Sequence, residues 1–121
     1  MPNDCWSEVL FFGSTETIRT LLLTNLDFSH LFESDHIEYL THFQVKHLHH
    51  SKHTALFKLH SAWAPPFSFL KLLVEKFPEL WIRCLWDEEG GEGGAWICDA
   101  SGVKELSWQG PCIEAFAIDS S

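Results

Sequence analysis

The sequence predicts an α+β fold in which two helices cover one face of an antiparallel sheet. Short runs rich in aromatic and β-branched residues alternate with two segments of helical periodicity, and strand-like runs occur in pairs between the helices. The chain has 121 residues, 45% of them hydrophobic, which suits one domain with a buried core. We therefore expect a single domain over residues 1–121.

Acidic residues outnumber basic ones in this chain. It contains 17 Asp and Glu against 8 Lys and Arg, a net charge of −9 at pH 7, which disfavours direct binding to the phosphate backbone of a nucleic acid. Aliphatic runs such as residues 21–23 are too short to span a bilayer. The first ten residues have neither the basic start nor the apolar segment of a secretory signal. We expect a cytoplasmic protein with no membrane partner.

The first strand and helix are predicted from residues 5–23. Residues 5–12 are rich in aromatic and branched side chains and end at Gly13, which is typical of a strand before a turn. Ser14 is a suitable N-cap for a helix over residues 16–23, in which Ile18, Leu21 and Leu22 form a buried stripe. Residues 26–42 indicate only short helical turns.

A hairpin and a second helix follow. Residues 43–49 and 54–61 are predicted strands on either side of a polar turn. Pro66 suits the start of the next helix, and Pro78 ends it. We interpret Trp63 as a plug at the corner between sheet and helix. The predicted buried face of the helix consists of Phe67, Phe69, Leu70, Leu73, Val74 and Phe77.

Three more strands are predicted after the second helix. They cover residues 80–86, 95–99 and 103–108, and an acidic, glycine-rich turn over residues 87–94 separates the first two. The order β-α-β-β-α-β with an extra C-terminal hairpin arm is that of a ferredoxin-like sandwich, with both helices on one face of an antiparallel sheet. The other face of such a sheet is left for solvent or a partner.

The cysteines indicate buried thiols rather than a disulfide framework. Cys5, Cys84, Cys98 and Cys112 lie far apart in sequence and form no CxxC pair, so the spacings of zinc ribbons and thioredoxin-like motifs are missing. Because no export signal is recognised, free thiols are the better prediction.

Histidines are concentrated in the predicted hairpin. Five of the eight lie between His42 and His53. On a regular strand His47 and His49 share one face, and His53 can return beside them across the turn. Three neutral imidazoles suit Zn²⁺ or Ni²⁺. The sequence thus predicts a metal site of His47, His49 and His53; the alternative is a polar hairpin rim with exposed histidines.

The acidic turn is the other candidate site. Asp87, Glu88, Glu89 and Glu92 occur among four glycines, and their spacing is not that of an EF-hand loop. We predict that this turn is mobile and faces solvent. We interpret the four carboxylates as contacts for a partner with a basic surface.

Motifs for catalysis are absent from the sequence. There is no GxSxG sequence, and no cysteine lies in a recognisable nucleophile setting. The EEGGEGGA segment lacks the Lys and Ser or Thr that end a phosphate-binding loop. We therefore predict a protein that is not an enzyme and that holds no cofactor, zinc at the three histidines being the one alternative.

Three stretches of the chain resemble a known family. They are MPNDCWSEVLFFGSTETI, LHSAWAPPFSFLKLLVEKFPELWI and LWDEEGGEGGAWICDASG. Together they are similar to the YubB ferredoxin-like domains of phages and plasmids, over residues 1–20 and 55–108. The resemblance implies a ferredoxin-like fold over the whole domain and a mobile-element source. The resemblance implies no catalytic residues in this chain.

These observations predict a binding protein. Six Trp, ten Phe and one Tyr exceed what the core of a two-layer domain needs, so some aromatic side chains are expected at the surface. We expect a non-catalytic accessory protein of a phage or other mobile element that binds a host protein with a basic surface. An acidic, anti-CRISPR-like inhibitor of a host defence nuclease complex fits that description. The alternative is a histidine-dependent metal-binding protein or metalloenzyme.

Overall fold

A computed structural model describes residues 4–27, 43–62 and 64–109 of the chain; at Gln109 it describes the backbone alone. The order of elements agrees with the sequence prediction. The elements are β1 (Asp4–Phe12), α1 (Thr15–Thr24), β2 (Gln44–His50), β3 (Thr54–Ala62), α2 (Phe67–Lys76), β4 (Trp81–Glu88), β5 (Glu92–Asp99) and β6 (Gly102–Gln109).

The six strands form one antiparallel sheet in the order β2-β3-β1-β4-β5-β6. Strands β1 and β2 run parallel with β3 between them, and the chain that joins them includes α1. Strands β3 and β4 likewise flank β1 and are joined through α2. The predicted α+β architecture is confirmed. The sheet is longer than a four-stranded ferredoxin-like sheet, because β5 and β6 extend it beyond β4.

The core lies between the two helices and one face of the sheet. Alternate residues of β1 and β3 are buried, as expected for strands with one covered face. The largest fully buried side chains come from both helices, from three strands and from the segments after each helix. They are Phe11, Phe57, Phe69, Ile18, Leu21, Leu26, Leu59, Leu70, Leu73, Leu80 and Ile82.

Helix α1 has the predicted N-cap and buried stripe. The Ser14 hydroxyl oxygen accepts a hydrogen bond from the backbone N–H of Thr17 at 3.2 Å. Asn25 ends the helix in the left-handed region, with φ of 52°. Ile18 and Leu21 are buried and Leu22 is half-buried, so the stripe is confirmed with Leu22 at its edge.

Helix α2 buries a narrower face than the sequence predicts. Four residues of the helix are buried, whereas Phe67 and Phe77 at its two ends are half-buried. The Phe67 ring contacts those of Trp96 and Trp86, with centroid distances of 5.1 and 6.2 Å. The start of α2 therefore packs over β4 and β5. The four buried residues are Phe69, Leu70, Leu73 and Val74.

Three of the predicted buried thiols lie within the described chain. Cys5, Cys84 and Cys98 are buried and unbridged. Burial raises the pKa of the Cys5 thiol to about 11 and that of Cys84 to about 12, so both stay protonated at neutral pH and are poor nucleophiles.

Several predictions fall on other parts of the chain. The plug at Trp63, the helical turns over residues 28–42, the cysteine at position 112 and the segment after residue 109 lie outside the described residues. Neither helix of the described ranges has the length and apolar character needed to cross a membrane.

Candidate functional site

The sheet face opposite the helices carries large apolar side chains. We call it the open face, because no helix of residues 4–27, 43–62 and 64–109 covers it. Strand register places Trp6 between His60 and Asp87, and Leu10 between Leu56 and Arg83. The exposed members are Trp6, Phe12 and Leu106, at 41%, 53% and 61% of their surface. Side chains this large and apolar, gathered on one face, are typical of a contact surface.

Aromatic rings lie at both ends of β1 on the open face. The Trp6 ring contacts the His60 ring at a centroid distance of 5.6 Å. The Phe12 ring lies 6.4 Å from that of His53. The imidazoles therefore flank the exposed rings and limit the positions they can adopt, which favours a preformed contact surface.

Charges of both signs lie in the middle of the open face. Glu8 is opposite Lys58 in the β1–β3 register, and Arg83 is opposite Leu10 on one side and Ile97 on the other. The Nε atom of Arg83 is buried and has no hydrogen-bond partner among the described residues. Buried donors are usually paired, so this nitrogen is an exception among the described residues.

Five carboxylates meet at one end of the sheet, which we call the acidic end. It consists of Asp4, Asp87, Glu88, Glu89 and Glu92. Two hydrogen bonds join its two parts: the N–H of Glu89 donates to the carbonyl of Asp4 at 2.8 Å, and the N–H of Asp4 donates to Oε2 of Glu89 at 3.1 Å. The structure therefore brings all four predicted contact residues together. Asp4 was not predicted, because only the pairing of β1 with β4 places it there.

The acidic turn is shorter than the sequence predicts. Strand β4 continues to Glu88 and β5 begins at Glu92, so three of the four predicted residues lie on strands and only Glu89 is in the turn. Gly91 has a φ of +96° in that turn, a conformation that favours glycine. The prediction of a loop over residues 87–94 is wrong.

Two tryptophans explain why glycines continue the strand. A Cβ atom added to Gly94 would lie 2.7 Å from Nε1 of Trp86, and one added to Gly93 would lie 2.6 Å from Nε1 of Trp108. Each indole therefore covers the backbone of a glycine on the neighbouring strand, an arrangement that stabilises glycine in sheets. Gly93 and the two tryptophans line an open depression of about 460 Å³, together with Glu92 and Ser107.

The histidines of the β2–β3 hairpin are not arranged as predicted. Leu48 is an extra residue in β2, so His47 is opposite Phe57 whereas His49 is opposite Leu56. Since neighbouring residues of β3 face opposite sides of the sheet, His47 and His49 do also, and the predicted shared face is wrong. The β-bulge reverses the alternation on which that prediction depended.

His53 lies apart from this strand, while another histidine approaches His47. Nδ1 of His53 is 3.1 Å from the carbonyl oxygen of Gly13. Nδ1 of His50 and Nε2 of His47 share a hydrogen bond of 3.0 Å, and the ring centroids are 5.0 Å apart. Within the described ranges no three His, Cys, Asp or Glu side chains are close enough to hold a metal ion. The structure therefore brings together His47 and His50, not the predicted triad.

Comparisons with protein-family models, with curated proteins and with solved structures find no match for this chain. The resemblance to YubB domains stays a prediction that rests on the quoted residues.

Proposed function

We propose that this protein is a non-catalytic protein-binding module whose open face and acidic end form one contact surface. The observation that carries the proposal is the exposure of Trp6, Phe12 and Leu106 on one face of the sheet. A few large anchors, tryptophan above all, supply most of the affinity in protein interfaces.

Charge indicates the kind of partner. Oδ1 of Asp4 is 3.0 Å from Nε2 of His60. No Lys or Arg is opposite Asp4, Asp87 or Glu92 in the described strand register, and the whole chain has a net charge of −9. Such a surface attracts a basic partner and accelerates its association. Trp6 is opposite Asp87, so an aromatic anchor and a carboxylate are available at the same place for an incoming Arg or Lys side chain.

We propose that the partner is a host protein that binds nucleic acid in a basic groove. Three observations support this class of partner: the charge of the chain, its size and its resemblance to proteins of phages and plasmids. By occupying such a groove the protein would compete with DNA or RNA, and a defence nuclease complex is the expected target. The ferredoxin-like assignment belongs to the same proposal. It is supported by the order β2-β3-β1-β4 and by the two helices that join parallel strands.

Competition against DNA tests this function. The full chain is titrated into a panel of purified defence nuclease complexes with labelled DNA bound, and DNA release is measured. We expect release by the native protein and about tenfold weaker release by Trp6→Ala, since a tryptophan anchor contributes about 1.4 kcal/mol or more. A smaller loss is expected for Leu106→Ala, because Leu106 lies on the edge strand β6. Leu23→Ala is the matched control, because Leu23 is 80% exposed on α1 and away from the open face.

Two results would contradict the proposal. One is that the protein displaces DNA from none of the complexes in the panel. The other is an equal loss of activity in the Leu23→Ala control, which would place the contact outside the open face.

A further inference from the structure

We propose that His47 and His50 form a two-imidazole site for one divalent ion of tetragonal preference, Cu²⁺ or Ni²⁺. The two histidines lie on β2, on either side of the bulge at Leu48. Because the bulge inserts one residue, positions 47 and 50 face the same side of the sheet, opposite Phe57 and Ala55 respectively. The bulge that places His47 and His49 on opposite faces of the sheet thus also places His47 and His50 on the same face.

The distance between the two nitrogens fits a shared ion. Metal–imidazole bonds are about 2.0–2.1 Å long, so a separation of 3.0 Å between Nε2 of His47 and Nδ1 of His50 corresponds to an angle of about 90–97° at the ion. A tetrahedral ion requires a wider angle. Adjacent positions of a square-planar or tetragonal ion require about 90°, which is the geometry that Cu²⁺ and Ni²⁺ prefer with nitrogen ligands.

The pair is both accessible and held in place. His47 and His50 are exposed, so an ion can reach them without opening the fold. The His47 ring packs edge-on against Phe57, with a centroid distance of 5.7 Å, and Phe57 is fully buried. One ligand is therefore fixed by the core, which lowers the entropy cost of binding. No third described ligand is in reach, so water would occupy the remaining positions.

Titration of the untagged full chain with Ni²⁺ alone, followed by calorimetry, tests the site. We expect one ion per chain, and about tenfold weaker binding for His47→Gln and for His50→Gln, because each loses one of two linked ligands. His49→Gln is the matched control, since it changes a histidine of the same strand that faces the other side. Circular dichroism verifies that each variant keeps the fold.

Pulsed EPR of the Cu²⁺-loaded native chain gives a second measurement that needs no variant. Two coordinated imidazoles are expected in the spectrum. One imidazole or none overturns the proposal, as does binding of Ni²⁺ that His49→Gln weakens as much as His50→Gln. Because β2 and the acidic end lie at different parts of the sheet, loss of metal binding leaves DNA competition unchanged, and each proposal fails separately.

Discussion

The carboxylate of Glu79 joins the start of α1 to the segment that follows α2. It accepts hydrogen bonds from the hydroxyls of Thr17 and Ser14, the latter at 3.0 Å. The Thr17 bond is the main cause that lowers the pKa of this carboxyl below its usual 4.5. Because the folded state favours the ionised form, the contact stabilises the fold fully above pH 4.5 and loses this contribution as pH falls through the lowered pKa.

We predict that Glu79→Gln lowers the free energy of unfolding at pH 7 by about 1 kcal/mol or less, because the glutamine keeps an acceptor oxygen and the site is exposed. The difference from the native chain should shrink as the pH falls below 4.5 and through the lowered pKa of Glu79, since the native carboxylate then becomes protonated. Urea unfolding at several pH values measures it. Glu75→Gln, on the exposed side of α2, is the control and should behave like the native chain; a difference that persists at acid pH would contradict the assignment.

Single residues also mark where sequence reasoning about the sites failed. Four glycines among carboxylates are typical of a turn, yet Gly93 and Gly94 lie in β5, because Trp86 and Trp108 on neighbouring strands cover them. Because of the bulge at Leu48, His47 shares a face of the sheet with His50 and not with His49. Both outcomes depend on which strands become neighbours, and no local pattern in the sequence contains that information.

Helix α2 is the element that the sequence predicted best. Proline on either side defined its limits, and the apolar spacing identified its buried face, apart from the half-buried rings of Phe67 and Phe77 at its ends. These signals are local, since a helix forms its hydrogen bonds within itself. The acidic end, by contrast, needs Asp4 from β1 beside residues of the β4–β5 hairpin, and sequence reasoning found only the hairpin part.

Truncating Leu70 tests the packing of α2 against the sheet. Leu70 is fully buried in the core, so Leu70→Ala removes apolar contacts and leaves a cavity. We predict a cost of about 2–5 kcal/mol in the free energy of unfolding. Lys71→Ala, one position along the same helix and exposed, should cost about 0.5 kcal/mol or less. Chemical denaturation of both variants decides; equal effects would mean that the helix face is assigned wrongly.

We predict that the carboxylates of the β4–β5 hairpin supply negative charge for binding and do not stabilise the fold. Replacing Glu88, Glu89 and Glu92 with glutamine removes repulsion among the five carboxylates of the acidic end, while the backbone bond from Glu89 to Asp4 is kept. We expect an unchanged or slightly higher melting temperature, most clearly at low salt where repulsion is least screened. With a basic partner, the same variant should associate more slowly and with a weaker salt dependence. A large fall in melting temperature would show that these carboxylates support the fold.

At the scale of the molecule, the element order was predictable and the sheet order was only partly so. Alternation and turn residues identified every strand to within a few positions. The pairing of β1 with both β3 and β4 joins segments more than 40 residues apart, and it creates the open face from side chains that look unrelated in sequence. The fold therefore brings apolar residues that are scattered in the sequence, such as Trp6 and Leu106, onto one face of the sheet.

The open face and the net charge together predict how the whole molecule responds to pH. At pH 7 the charge of −9 keeps copies apart, although apolar side chains are exposed on the open face. Protonation of all eight histidines would leave a charge of −1, and the isoelectric point is about 5.2. We predict that light scattering rises as the pH is lowered from about 7.5 to 6, because the weakened repulsion lets apolar faces associate.

A charged substitution on the open face distinguishes association through that face from a general loss of solubility. Leu106→Lys interrupts the exposed apolar surface, and Leu23→Lys makes the same charge change on α1. Both variants lose one unit of net negative charge, so general repulsion falls equally in the two. If the open face causes association, only Leu106→Lys should suppress the rise in scattering. Equal scattering by both variants, or a flat signal for the native chain, would mean that this face does not govern association.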